Sequence, residues 1–262
     1  PLDAEVSTAG SWSGNRLRVH RPAGSEDLFV TGGVFVGARD LEMPIAVHDP
    51  VALFGAALRD GLAQEGVRIA GATRPVASLP GLVWQPVAVH RTALLDVLEV
   101  TNHESNNLMA DTLLKLAGAV RCGAGTWENG VRTVEGVLAA VAGLDPDDYA
   151  LADGSGLARG NRMKPADVTR FLAGAVRRPW IREYMASLPT GGDDPSSLEE
   201  RLEDARGRVF AKTGTIAGVS ALSGYAYGRS GRLYAFSVLA HGGVGPARQV
   251  QDAVALAIVR HG

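Results

Sequence analysis

Two short motifs in this chain carry the residue types that acyl transfer needs. A Lys-Thr-Gly-Thr motif at residues 212–215 ends an apolar run that predicts a buried strand. A lysine there presents an ammonium group at the sheet edge, the two threonine hydroxyls share one face, and the glycine lets a substrate backbone approach. A Ser-Asn-Asn motif at residues 105–107 heads a helical pattern far upstream. Acyl transfer requires an activated hydroxyl, a proton path to the leaving amine and donors for an oxyanion, and residues of these types could serve it.

Helices and a small antiparallel sheet are predicted to position these motifs. Apolar residues recur at helical spacing in several segments. The predicted helices begin at Pro50 with Asp49 as N-cap, at Thr92, at Ser105, before Val134 with an end at Gly143, at Pro165 and at Pro246, and residues 198–203 form a helical turn. Strands are predicted at residues 208–212, 219–227 and 233–241, with a hairpin at 228–231. A meander with a final helix packed across it, preceded by a helical lobe, implies a cleft between lobe and sheet.

The N-terminal residues predict a small β-rich module. Residues 12–36 alternate apolar and polar positions around glycine turns, one of them at Gly32-Gly33. No strand or helix is expected before residue 12. Further strands are predicted at residues 67–69 and 82–89, after the helix that begins at Pro50.

Composition excludes several classes of function. The 262 residues are 46% hydrophobic and 21% charged with a net charge of −2, so a nucleic-acid partner is not expected. No window is long and apolar enough to span a bilayer. The single cysteine, Cys122, rules out an internal disulfide, and the six histidines show no metal-ligand spacing. We therefore expect neither a metal nor a cofactor.

The motifs and their neighbouring sequence resemble one peptidase family. Residues 105–111 read SNNLMAD, residues 153–157 read DGSGL, and residues 212–215 are followed by GVSALSGY at 218–225. These segments are similar to the D-alanyl-D-alanine carboxypeptidase/endopeptidase family of class C low-molecular-mass penicillin-binding proteins, peptidase family S13. The resemblance implies a mixed α and β fold of the penicillin-binding-protein and serine β-lactamase type. It further implies that residues 46–262 are the C-terminal part of the catalytic domain and residues 1–45 a remnant of an inserted β-rich domain.

One family motif has no counterpart in this sequence. The family's nucleophile lies in a Ser-x-x-Lys motif, and no serine here has a lysine three positions later; Ser13, followed by Arg16, comes nearest. In the family this motif lies near the N-terminus, before the inserted domains. The resemblance therefore implies that a segment outside this chain, or an associated N-terminal fragment, supplies the nucleophile.

The resemblance assigns a role to each remaining site residue. Ser105 would bridge the nucleophile's lysine to the leaving group as a proton relay, and Asn107 would donate its amide to a substrate carbonyl. Lys212 would supply positive charge that keeps a neighbouring lysine deprotonated and favours the substrate's terminal carboxylate. Thr213, Gly214 and Thr215 would bind the substrate, with the Thr215 N–H forming half of an oxyanion hole. Arg159 matches a position that lines the pocket for the stem peptide's side chain, and its guanidinium suits a carboxylate there.

The implied substrate is the peptidoglycan stem peptide, with β-lactams as inhibitors and a location outside the cytoplasmic membrane. Two other functions stay open: a non-catalytic module that binds stem peptides, and a β-lactamase or esterase of the same fold. Structural roles also compete at single residues. Ser105 could be only a helix cap, Lys212 only a solubilising edge residue, and the turn at Asp153 a purely structural one.

Overall fold

The structure is a computed structural model that describes residues 2–9, 16–25, 27–38, 41, 43, 45–76, 81, 85, 88–193 and 195–262. The chain divides into two compact units, Pro1–Val87 and Ala88–Gly262. The division expected from the sequence, between residues 45 and 46, falls inside the first unit. The assignment of these segments to an inserted domain and a catalytic domain therefore stays a proposal.

The first unit contains a three-stranded sheet of β1 (Leu2–Ala9), β2 (Arg16–His20) and β3 (Leu28–Phe35). The strand order is β1-β3-β2, with β1 parallel and β2 antiparallel to β3. β1 was not expected, because its pairing with β3 is not local in sequence. The Gly32-Gly33 turn was also wrong, since both glycines lie within β3. Gly32 has φ 122°, and a Cβ there would lie 2.0 Å from the Arg16 carbonyl oxygen, so this glycine allows β2 to pair closely.

Helix α1 (Pro50–Gln64) begins as predicted, with Asp49 Oδ1 accepting a hydrogen bond of 2.9 Å from the Ala52 N–H. The strand predicted at residues 67–69 was wrong. The Arg59 guanidinium of α1 donates to the carbonyl oxygens of Ile69 and Gly71, so a side chain takes the place of a strand partner. The strand predicted at residues 82–89 lies largely outside the described residues, and residues 12–15 of the N-terminal pattern lie outside them as well.

The second unit contains the other helices and the second sheet. The helices are α2 (Leu94–His103), α3 (Asn107–Cys122), α4 (Trp127–Ala142), α5 (Pro165–Ala175), α6 (Ile181–Ala186) and α7 (Val244–His261). The strands are β4 (Val209–Ile216), β5 (Val219–Tyr227) and β6 (Leu233–His241). Gly143 ends α4 in a left-handed conformation with φ 63°, as the sequence predicted. Residues 198–203 form turns that lead into a single 3₁₀ turn, Glu203–Ala205, and not the expected helical turn.

The sheet of the second unit lies between two layers of helix. Its order is β4-β5-β6, and both pairings are antiparallel. On one face, Val209 and Leu222 are fully buried in a cluster with Ala255 and Val259 of α7. On the other face, Tyr225 packs with Leu172 of α5 and donates its hydroxyl to the Leu172 carbonyl oxygen at 2.9 Å. This layered arrangement confirms the predicted fold class of an antiparallel sheet with a helix across it and a helical lobe.

Candidate functional site

Ser105 occupies the tight connection between α2 and α3. Its φ is +56°, a left-handed conformation that non-glycine residues rarely adopt and that recurs at functional sites. The helix predicted to begin at Ser105 begins two positions later, at Asn107. Asn106 is its N-cap, and its Oδ1 accepts a 3.1 Å hydrogen bond from the Met109 N–H. Asparagine is as good a cap as serine, so the cap requirement is met without Ser105. The Ser105 hydroxyl is left to other partners.

The Ser105 hydroxyl is hydrogen-bonded to Lys212, which lies 107 residues later in the chain. Lys212 Nζ donates to Ser105 Oγ at 2.7 Å and to the Thr213 carbonyl oxygen at 2.9 Å. Both acceptors are neutral, and burial lowers the pKa of Lys212 to about 8. Most Lys212 side chains are therefore protonated at neutral pH, and the charge lies in a poorly solvated position where it interacts strongly with an approaching anion.

Asn107 is the first residue of α3, and its side chain is exposed. It follows Ser105 by two positions, so the connection between α2 and α3 brings an amide and a hydroxyl to the same end of the helix. The structure thus joins Ser105 and Lys212 directly and places Asn107 beside Ser105 along the chain. The catalytic roles of all three stay proposals.

Strand β4 lies at the edge of its sheet within the described residues. The Ala211 N–H points away from β5, because it donates to the Pro189 carbonyl oxygen at 3.0 Å. Backbone groups alternate along a strand, and the pairing of β4 with β5 runs without a bulge from Val209 to Ile216. The N–H groups of Thr213 and Thr215 therefore point to the same outer edge as that of Ala211. Their side chains lie on the opposite face from Lys212.

Gly214 is not required by the packing inside the sheet. A Cβ added there would lie 3.5 Å from the Ala221 Cβ, an ordinary contact. Gly224 differs, since a Cβ there would lie 2.1 Å from the Phe210 carbonyl oxygen. No other atom lies within 4 Å of a Cβ added at Gly214, so the face of the sheet at Gly214 has room.

Arg159 lies in the connection between α4 and α5, and its side chain is exposed. The turn before it is organised by Asp153, whose carboxylate accepts hydrogen bonds from the N–H groups of Gly156 (2.8 Å) and Ala158 (2.7 Å). Sequence reasoning missed Asp111, whose Oδ1 accepts the N–H groups of Gly154 and Ser155, both at 2.9 Å. Its spacing of four residues from Asn107 was a usable signal, because i and i+4 share one helix face.

No group of three or more His, Cys, Asp or Glu side chains that could hold a metal ion occurs among the residues that the structure describes. In the same part of the chain, no helix combines the length and the apolar character needed to cross a bilayer. Cys122 is an exposed free thiol at the end of α3.

Comparison with known proteins decides the family. Residues 3–260 match the D-Ala-D-Ala carboxypeptidase 3 (S13) family. The chain belongs to this family. A curated relative, the D-alanyl-D-alanine carboxypeptidase of Actinomadura sp. (strain R39), is 38% identical over 99% of this chain and 50% of its own length. The penicillin-sensitive carboxypeptidase A of Dictyostelium discoideum is 27% identical over 76% of this chain and 39% of its own length. The chain therefore spans about half the length or less of the curated relatives it matches.

Solved structures show the same fold. Penicillin binding protein 4 (dacB) of Haemophilus influenzae superimposes on the whole chain with a TM-score of 0.77 at 21% identity, covering 61% of that protein. A complex of the same protein with a β-lactam matches 97% of this chain with a TM-score of 0.69. At these identities the likeness establishes the fold, and this S13 chain has the penicillin-binding-protein fold predicted from its motifs.

Proposed function

We propose that the protein containing this chain is a serine-type D-Ala-D-Ala carboxypeptidase and endopeptidase that cleaves peptidoglycan stem peptides through an acyl-enzyme. One observation carries the proposal: Lys212 Nζ donates to Ser105 Oγ at 2.7 Å beside the open edge of β4. Family membership and the 38% identical D-alanyl-D-alanine carboxypeptidase support it. The proposal includes a location outside the cytoplasmic membrane, where peptidoglycan lies, and β-lactams as inhibitors.

The first step is attack of a serine hydroxyl on the carbonyl carbon between the two D-alanines. We propose that this serine belongs to a segment outside the 262 residues, on the same polypeptide or on an associated fragment. The carbonyl becomes an oxyanion, and the Thr215 N–H, which points to the outer edge of β4, would donate to it. Collapse of this intermediate breaks the C–N bond and releases D-alanine, and water later hydrolyses the ester.

Ser105 would carry the proton needed for this step. Its oxygen accepts a hydrogen bond from Lys212, so its own hydrogen is free to point towards the departing nitrogen. The nucleophile's proton would pass to Ser105 as the Ser105 proton passes to the leaving amine. The Lys212 charge would hold the Ser105 oxygen in place and attract the substrate's terminal carboxylate.

The remaining site residues would hold the peptide. A substrate lying along the outer edge of β4 would meet the N–H groups of Thr213 and Thr215, with Gly214 leaving room for its backbone. The two threonine hydroxyls would bind its terminal carboxylate, and the Asn107 amide would donate to a carbonyl oxygen of the stem. Arg159 would pair with a carboxylate on the stem side chain, such as that of a diaminopimelic acid end.

The absence of Ser-x-x-Lys from these 262 residues favours one second candidate, a stem-peptide binding module without catalysis. Release of D-alanine from a stem peptide ending in D-Ala-D-Ala, measured on the complete polypeptide, separates the two. The enzyme should release D-alanine, and Lys212→Met should slow the release strongly. Lys164→Met is the matched control, because Lys164 is an exposed lysine paired with Asp148. Calorimetric binding of the peptide without any released D-alanine would refute the peptidase and support the binding module.

A further inference from the structure

A carboxylate of α3 holds the loop at residues 152–161 against the helix. Asp111 Oδ1 accepts hydrogen bonds from the consecutive N–H groups of Gly154 and Ser155, both at 2.9 Å. The loop backbone lies directly on α3, because a Cβ at Gly154 would be 2.5 Å from the Ala110 carbonyl oxygen. Asp111 follows Asn107 by one turn, about 6 Å along the helix axis. The loop is therefore attached beside the end of α3 that carries Asn107.

A second carboxylate organises the loop internally. Asp153 Oδ1 accepts from the Gly156 N–H (2.8 Å) and Asn161 Nδ2 (2.6 Å), and Oδ2 accepts from the Ala158 N–H (2.7 Å) and the Ser155 hydroxyl (3.2 Å). Burial acts to raise the pKa of Asp153, but these hydrogen bonds lower it below its ordinary value. The side chain is therefore ionised at neutral pH, and its hydrogen bonds are charge-assisted.

These contacts add order to a loop whose base is closed by the antiparallel backbone bridge between Ala150 and Arg162. Residues 151–160 form no helix or strand, and Leu157 and Arg159 are exposed at the tip. Ala158, directly before Arg159, donates its N–H to Asp153. Asn161, two residues after Arg159, is bound through both ends of its side-chain amide. Its Nδ2 donates to Asp153, and its Oδ1 accepts from the Ala152 N–H at 2.7 Å. The backbone on both sides of Arg159 is thereby fixed relative to α3.

We propose that Asp111 and Asp153, together the loop latch, are positioning residues that hold the loop carrying Arg159 against α3 and so determine which stem peptides the site accepts. This inference rests on the proposed function and extends it. The latch would act only on substrates whose side chain carries a carboxylate for Arg159. Cleavage of a D-Ala-D-Ala peptide without that carboxylate would not depend on it.

The hydrogen-bond pattern predicts different outcomes for the same substitution at the two positions. Asp111 uses only Oδ1, so Asp111→Asn can keep both hydrogen bonds, whereas Asp111→Ala loses them. Asp153 uses both oxygens, so Asp153→Asn must direct an NH₂ group at a donor and should behave like Asp111→Ala. Asp148→Asn is the matched control, because Asp148 is an exposed carboxylate of the same unit whose hydrogen bond goes to Lys164.

The test measures kcat and KM of the complete polypeptide with two peptides that differ only in the side-chain carboxylate. Asp111→Ala and Asp153→Asn should lower kcat/KM roughly tenfold for the carboxylate peptide, mainly through KM, and leave the other peptide within about twofold. Asp111→Asn and Asp148→Asn should match the wild type. The double variant Arg159→Ala/Asp111→Ala should have the same kcat/KM as Arg159→Ala alone, because the latch acts through Arg159.

An equal loss for both peptides, or no loss in Asp111→Ala, would overturn the inference. Hydrogen exchange at the Gly154 and Ser155 amides should speed up in Asp111→Ala, and faster exchange with unchanged specificity would also overturn it. An inactive wild type would instead refute the proposed function itself, so the two failures are distinguishable.

Discussion

Replacing Lys212 with methionine should weaken catalysis and strengthen the fold. The substitution keeps most of the buried side-chain volume and removes the ammonium group with its hydrogen bonds to Ser105 Oγ and the Thr213 carbonyl oxygen. The two effects have opposite signs because the charge that serves the site is poorly solvated in the folded protein. Such opposition between stability and activity is common at functional sites.

The expected loss of catalysis follows from the charge. A hydrogen bond from a charged donor contributes about 1.5–3 kcal/mol, and a unit charge about 4 Å from an anion contributes up to about 4 kcal/mol near a protein surface. These terms overlap, and a combined loss of about 3–4 kcal/mol lowers a rate constant roughly hundredfold to thousandfold. We expect that reduction in the second-order rate constant for acylation of the complete polypeptide by a fluorescent penicillin. Lys164→Met should leave the rate constant unchanged.

The expected gain in stability follows from the pKa. Burial lowers the pKa of Lys212 from 10.5 to about 8, which corresponds to a cost of roughly 3 kcal/mol for holding the charge below pH 8. Two lost hydrogen bonds, at about 1 kcal/mol each, offset much of this cost. Lys212→Met should therefore unfold a few degrees above the wild type at pH 7. Between pH 8 and 10.5 the Lys212 side chain keeps its proton only in the unfolded chain, so the free energy of unfolding of the wild type should rise with pH in this range. This rise should vanish in Lys212→Met.

Unchanged acylation in Lys212→Met would refute the role of the ammonium group. A large drop in melting temperature would refute the reasoning from burial, because it would show that the charged side chain stabilises the fold.

Three further predictions follow from the same geometry. Ser105→Gly should relieve the left-handed φ of +56° and stabilise the fold by about 1 kcal/mol in denaturant unfolding. It should lower D-alanine release roughly hundredfold or more, because it removes the proposed relay hydroxyl, and a variant with full activity would contradict this. Gly214→Ala should keep the wild-type melting temperature and lose penicillin acylation, whereas Gly224→Ala should lower the melting temperature by several degrees. A lower melting temperature in Gly214→Ala and an unchanged one in Gly224→Ala would contradict the assignment of the open strand edge. The acylation rate constant should fall as the pH rises through about 8, because Lys212 loses its proton there. Lys212→Arg should shift that fall to higher pH, and an unshifted profile would exclude Lys212 as the titrating group.

The elements that could be predicted from the sequence are those with local signals. Alternating residues and the hairpin at 228–231 specify β5 and β6, and Gly143 marks the end of α4. The family resemblance predicted that the two motifs share one site, although nothing local in the sequence shows that residues 107 positions apart touch. The structure supplies the contact between Ser105 and Lys212.

The remaining features depend on competition between neighbours or on contacts distant in sequence. Ser105 and Asn106 are both good caps, and only the folded backbone shows that Asn106 takes the role. Gly32 looks like a turn residue, but the close approach of β2 places it within a strand. The carbonyl groups after α1 are bound by the Arg59 side chain, so a strand-like pattern at residues 67–69 forms no strand. Asp111 meets its partners at Gly154 and Ser155 only through the packing of the loop on α3.

The most direct test of the central claim is to map the acylated residue. The complete polypeptide is treated with penicillin, digested, and searched by mass spectrometry for the penicilloyl adduct, in the wild type and in Lys212→Met. The account predicts one adduct on a serine of a Ser-x-x-Lys motif outside these 262 residues, formed much more slowly in the variant. An adduct on Ser105, or an adduct that forms equally fast without Lys212, would contradict it.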